Sequence, residues 1–404
     1  MVLPVTLAAI VATICLQLWA GFALRPGRLV GDETEYLEND TEALQKRTVY
    51  VRVQLFSALV RLAQVIWSTP RQTGPRVVVS AISAVSVALA TGVVETSAGS
   101  LPAIVTACVL LISVERVVLA LHLWPDGVMG LLVLAIAALL PDYNAQQVIP
   151  VALLAAVGFA IRVEGAVLCL IAVLMPLRLA ELPLGLAWMP VWITLGTFAL
   201  LSVANGLRFG VWLPDSTISF NFSVARTELT LRNASVTDGI RHTLCARRNG
   251  APATDAQRGT ALQAIMFLAG RIRMVFCVES FVTQSLLANN RASYRNPDWL
   301  APQRIAGKAL RHSFTVSMLT LALLMPLVPM QMAALFVLML AVYSAVLTRS
   351  RYRMALLPLA ATLIGLGAAK LAAATQGQIS AGLALTAFIG VILVFAPKRA
   401  ERNA

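Results

Sequence analysis

The chain has 404 residues, 58% of them hydrophobic, a mean hydropathy of +0.79 and only 13% charged side chains. A soluble domain carries about 45–50% apolar residues, so this composition excludes a water-soluble globular protein and predicts an all-α polytopic membrane protein. The formal charge of +13 and pI near 10.3 would suggest nucleic acid in a soluble chain. Here the cations flank apolar runs, where membrane lipids with anionic headgroups and phosphates are the natural partners and nucleic acid is not.

Runs apolar enough for a bilayer predict about eleven transmembrane helices, at 3–23, 76–95, 101–121, 126–141, 146–161, 165–177, 186–206, 313–328, 331–347, 353–373 and 379–397. The first run has no charged segment ahead of it and reads as a membrane anchor rather than a signal peptide. After it comes a polar stretch, 25–75, which opens on GDETEYLEND with five carboxylates in ten positions: Asp32, Glu33, Glu35, Glu38 and Asp40. In so apolar a chain, acid beside a membrane boundary marks where polar chemistry can sit. The same stretch predicts a helix over 33–68 that mixes Val49, Leu55, Phe56 and Val60 with Arg47, Arg52 and Arg61. It is too charged to span and too apolar to leave the surface, so it belongs in the interface.

Further on, His122-Leu-Trp-Pro-Asp126 precedes a run, with Asp126 at a helix start behind Pro125; His122 reads as interfacial. The runs 146–161 and 165–177 are either one helix interrupted at Arg162-Val-Glu164 or two short helices meeting at the surface. Asn205-Gly-Leu-Arg-Phe-Gly210 ends the seventh run. The polar segment 207–312 holds a second interfacial candidate near 260–290, and Arg349-Ser-Arg-Tyr-Arg353 opens the tenth run. The chain thus divides into an N-terminal transmembrane module, 1–206, with its first loop at 25–75, the loop segment 207–312, and a C-terminal transmembrane module, 313–404.

Cys15, Cys108 and Cys169 lie in apolar runs and are expected to pack there. Cys245 and Cys277, in 207–312, suit either a disulfide or two free thiols, depending on the compartment. With three histidines and no HxxxH or CxxC spacing, no protein-held metal cage and no cofactor is indicated. A divalent ion shared by Asp32, Asp126 and a substrate phosphate stays open. If every run crosses once, the loops at 25–75, 122–126, 162–164, 207–312 and 348–352 emerge on one face. Nearly all the polar candidates then share that face. Positive-inside counting would make it cytoplasmic, but the rule applies to short loops and these are long.

Taken in order, a first span, an acidic DE-x-x-Y motif (Asp32-Glu33-Thr34-Glu35-Tyr36), an interfacial helix and many further spans resemble the GT-C superfamily of polyprenyl-phosphate-sugar glycosyltransferases. The closest pattern is that of protein O-mannosyltransferases and lipid A aminoarabinose transferases. The passages at 122–126, 205–210 and 349–353, the last followed by Pro358, agree with it. The resemblance covers about residues 1–360, in pattern rather than in long identities. It implies an enzyme that moves a sugar, with inversion, from a polyprenyl-phosphate carrier to a glycan, lipid or protein acceptor on the extracytoplasmic face; the Arg- and Ala-rich, Lys-poor composition reads as bacterial, which makes the expected membrane the inner one. Asp32 takes the place of the general base and Glu33 that of its neighbour, orienting the acceptor or tuning Asp32. Arg349, Arg351, Tyr352 and Arg353 fall where the lipid phosphate is held; on a helix Arg349 and Arg353 share a face. Tyr36, His122, Asp126, Arg162 and Glu164 complete the candidate site.

Each residue also has a purely structural reading. Asp32 and Glu35 form an N-cap and N3 pair, Arg349 to Arg353 can anchor a span at the headgroups, and Arg162 can pair with Glu164 across a helix break. The rival functional class is a lipid or solute transporter or flippase, in which charge is expected near the bilayer midplane.

Overall fold

The structure, a computed structural model, describes residues 3–24, 33–37, 55–67, 72–179, 182–215, 268–272, 313–345 and 353–395. Among the described residues every regular element is helical. The first part contains α1 (Pro4–Leu24), α2 (Glu33–Leu37), α3 (Leu55–Ile66), α4 (Thr73–Ala98), α5 (Ser100–Ile112), α6 (Val114–Leu119) and α7 (Asp126–Leu139). There follow α8 (Val148–Ile161), α9 (Ala166–Leu174), α10 (Leu184–Phe209), α11 (Ser313–Leu324), α12 (Met330–Ala345), α13 (Arg353–Lys370) and α14 (Gln376–Phe395).

Among the described residues five helices are long and apolar enough to cross a membrane: Pro4–Phe22, Thr73–Ala98, Leu184–Phe209, Met354–Ala373 and Gln376–Leu393. This is a helical membrane protein. Six more apolar helices have 10–17 residues; at 1.5 Å per residue they reach about 15–26 Å, short of a hydrocarbon core of about 30 Å. One cause of shortness is visible at the run predicted over 101–121, which is broken at Ser113 into α5 and α6. The buried Arg116 sits at the break, its Nε donating to the Leu110 carbonyl at 2.9 Å and its Nη1 to Ser83 Oγ at 3.1 Å. A cation thereby satisfies a carbonyl that the interrupted helix leaves open.

The centre of the fold is α13. It packs against α4, α5, α7, α11 and α12, and Ala355, Leu356, Leu359, Ala360, Ala361 and Leu363 have no exposed surface. A helix that is apolar all round belongs in an interior, and small residues let its neighbours close on it. At Gly365 a Cβ would collide with Thr106 Oγ1 of α5, whose hydroxyl reaches the Ala361 carbonyl at 3.3 Å. At the end away from the acidic motif, Glu95 of α4 accepts the Val5 and Thr6 amides at 3.1 and 2.8 Å and the Thr6 hydroxyl at 2.7 Å. It caps the start of α1, where free N–H groups and the helix dipole favour a carboxylate.

The two readings of 146–177 are resolved here: α8 and α9 are separate helices, packed on each other, and the chain reverses at Arg162 and a 3₁₀ turn over Val163–Gly165. A Cβ on Gly165 would overlap the backbone of Gly158 and Phe159. Gly165→Ala is therefore expected to cost about 1–3 kcal/mol, seen as a lower thermal unfolding midpoint in detergent. Gly185→Ala, at a position with open space around it, serves as the control, and equal midpoints for the two variants would refute the close-packing account.

Three other expectations need restating. Of the helix predicted over 33–68, α2 and α3 are helical and 38–54 lies outside the described residues. α3 buries Phe56, Ser57, Val60 and Ala63 and exposes Leu62, Val65 and Ile66. Of the candidate near 260–290 only 268–272 is described, and it is helical. Cys169 packs inside, but Cys15 and Cys108 face outward; in a lipid-facing helix an apolar run has no reason to point every side chain inward. Cys245 and Cys277 lie outside the described residues.

Candidate functional site

α2 opens at Glu33, and its five residues are held by Tyr36, whose ring meets Phe56 of α3 edge-on at 4.9 Å. This contact, together with the packing of α3 on α4, brings Glu33 beneath the turn that links α6 to α7. The Glu33 carboxylate is fully buried. Its Oε1 accepts the Leu123 amide at 2.7 Å, lies 3.3 Å from His122 Nδ1 and 3.8 Å from Arg76 Nη2. Ser80 of α4 donates to the Ala120 carbonyl at 2.9 Å and fixes the same turn from below. The buried His122 ring stacks on Trp124 at 4.9 Å with 18° between planes. Burial alone would push the Glu33 carboxyl up, but His122, by charge and by hydrogen bond, then Arg76 and the Leu123 amide together hold it below the usual carboxylate range.

A second cluster stands directly after this turn, at Asp126. Arg162 Nη1 donates to Asp126 Oδ1 at 2.7 Å, while Nε and Nη2 grip the two oxygens of Glu164 at 3.0 and 2.9 Å. Asp126 is the first residue of α7, and the fork joins α7 to the reversal between α8 and α9. Bidentate Arg–carboxylate pairing of this kind fixes geometry as well as charge. Among the described residues two acids share one base here. All three side chains are largely buried.

The sequence candidates thus fall into two groups. Glu33, His122, Asp126, Arg162 and Glu164 come together at the helix ends of one side, and Tyr36 braces α2. Asp32, Arg349, Arg351 and Tyr352 lie outside the described residues. Arg353 opens α13, and its side chain is likewise outside them. The start of α13 is at the same end as Asp126, because Gly130 of α7 lies against Met354 and Ala355. Among the described residues no group of three or more His, Cys, Asp or Glu side chains gathers as a metal site would require.

Sequence reading overlooked Arg76, whose guanidinium lies 3.8 Å from Glu33. The available signal was an arginine in Gly74-Pro75-Arg76, within the first turn of a span, facing a loop already known to be acidic. The Asn205 passage has a structural explanation: Asn205 Nδ2 donates to the Leu213 and Pro214 carbonyls at 2.9 and 2.7 Å, and Trp212 lies over Gly206. Gly210 ends α10 with φ of 70°, a left-handed conformation that glycine tolerates best. Compared with protein-family models, curated proteins and solved structures, the chain matches none.

Proposed function

We propose that this protein is an integral-membrane inverting glycosyltransferase of the GT-C type, drawing its sugar from a polyprenyl-phosphate carrier. The reading takes about eleven membrane crossings, the shorter apolar helices included, and places the site on the extracytoplasmic face of a bacterial inner membrane. In it Asp32 removes the proton of an acceptor hydroxyl as that oxygen bonds to the anomeric carbon. The bond from that carbon to the phosphate oxygen breaks with oxocarbenium-like charge, and the polyprenyl phosphate departs with its electrons. Arg349 and Arg353 hold the growing phosphate charge.

What supports this most is the anchoring of Glu33. It is a fully buried carboxylate, tied to the Leu123 amide, His122 and Arg76, and it is the residue next in sequence to Asp32. Glu33 lies at the end where Asp126, Arg162 and Glu164 meet and where α13 begins. These charges sit at helix ends, whereas a transporter or flippase is expected to carry them near the midplane.

The test is to reconstitute the purified protein with polyprenyl-phosphate sugars and a hydroxyl acceptor lipid and to measure released polyprenyl phosphate. Protein-dependent release is expected. Transbilayer movement of these lipids without any release would replace this reading with the transporter.

A further inference from the structure

A groove of about 820 Å³ runs between α1 and α4. Its floor is made of small residues on α4, among them Ala81 and Ala84, and Arg76 stands at its mouth. Apolar side chains such as Leu18 and Val85 are exposed on its rim, as expected where hydrocarbon lies alongside. One lining residue does not fit a plain lipid-facing seam. Gln17 is only 6% exposed, and its Nε2 is buried with no hydrogen-bond partner among the described residues. An amide shut away from water without a partner is destabilising, and a turn about its last bond offers either nitrogen or oxygen to the groove.

The depth of this amide says what would satisfy it. Gln17 lies seven residues before Leu24, the end of α1, or about 10 Å inward, while Arg76 is in the first turn of α4 at the same end. The polar layer of a bilayer leaflet is about 5–8 Å thick. A lipid whose phosphate sits at Arg76 therefore brings the ester carbonyls of its glycerol backbone toward Gln17. A polyprenyl chain has only hydrocarbon at that depth and nothing for the amide to bond.

We propose that the α1–α4 groove is a binding site for one acyl-ester phospholipid, its phosphate at Arg76, an ester carbonyl accepting from Gln17 Nε2 and one chain lying over Ala81 and Ala84. The groove shares Arg76 with the Glu33 cluster but takes no part in the transfer proposed above, and its test reads binding alone, so its failure leaves that reading intact. Full-length protein in detergent is titrated with diester phosphatidylglycerol, with its diether analogue and with undecaprenyl phosphate, and bound lipid is counted by native mass spectrometry. The diester is expected to bind about three- to ten-fold tighter than the diether, the range of one net hydrogen bond, and undecaprenyl phosphate is expected not to displace it. Gln17→Leu should erase the ester preference, and Ala81→Trp should abolish binding by filling the groove. Equal affinity of the wild-type protein for diester and diether lipid, or displacement by undecaprenyl phosphate, overturns the proposal; neither comparison needs a variant to fold.

Discussion

Asp32→Asn is expected to lower sugar transfer by about 10²- to 10⁴-fold, the usual effect of losing a general base, with expression and thermal unfolding close to wild type. The expectation rests on two separate observations. The DE-x-x-Y order puts Asp32 in the base position of the family it resembles, and the buried neighbour Glu33 is already committed to the Leu123 amide, His122 and Arg76. Asparagine is nearly isosteric and still caps a helix, so a purely structural role for Asp32 predicts no loss. A variant that keeps a tenth or more of the wild-type rate would remove Asp32 from the role of base.

Glu33→Ala is expected to behave in the opposite way, through stability first. It would leave the His122 ring, the Arg76 guanidinium and the Leu123 amide around a site with no exposed surface. Removing one partner from a buried charged pair costs about 3–5 kcal/mol, enough to lower the unfolding midpoint and the yield of folded protein together. Acidity offers a gentler probe. Because the folded carboxyl is held below its ordinary value of 4.5, its contribution is complete above that pH and is lost as pH falls through the lower folded value. Thermal midpoints measured from pH 7 down to pH 3 should fall more steeply for wild type than for Glu33→Gln, with the difference arising below about pH 4.5. Parallel curves would show that the Glu33 charge does not hold the turn at 120–125.

Much of the architecture was legible because one solvent dominates it. A bilayer demands apolar length, so the runs near 3–23, 76–95, 186–206, 353–373 and 379–397 reappear as long helices whatever their neighbours. Where runs were short, the reading weakened: nothing in the run over 101–121 announces that the chain breaks at Ser113 or that Arg116 turns inward to bond Leu110. Arg162 and Glu164 could be flagged as a pair from spacing alone, since two residues apart they meet only across a break. Their third member, Asp126, is 36 residues earlier in the chain, and no local pattern links them.

By itself, then, the sequence determined the class of protein and its long apolar helices, since hydropathy acts locally and needs no partner. Tertiary structure alone decided which charges are spent on one another. Glu33 is held by Arg76 and His122, Arg162 is shared between Asp126 and Glu164, and the late helix α13 fills the space among α4, α5 and α7. Each of these depends on helices distant in sequence approaching within hydrogen-bond or van der Waals range. That approach is set by small residues at crossings, such as Gly365 against Thr106, and by the satisfaction of buried polar groups.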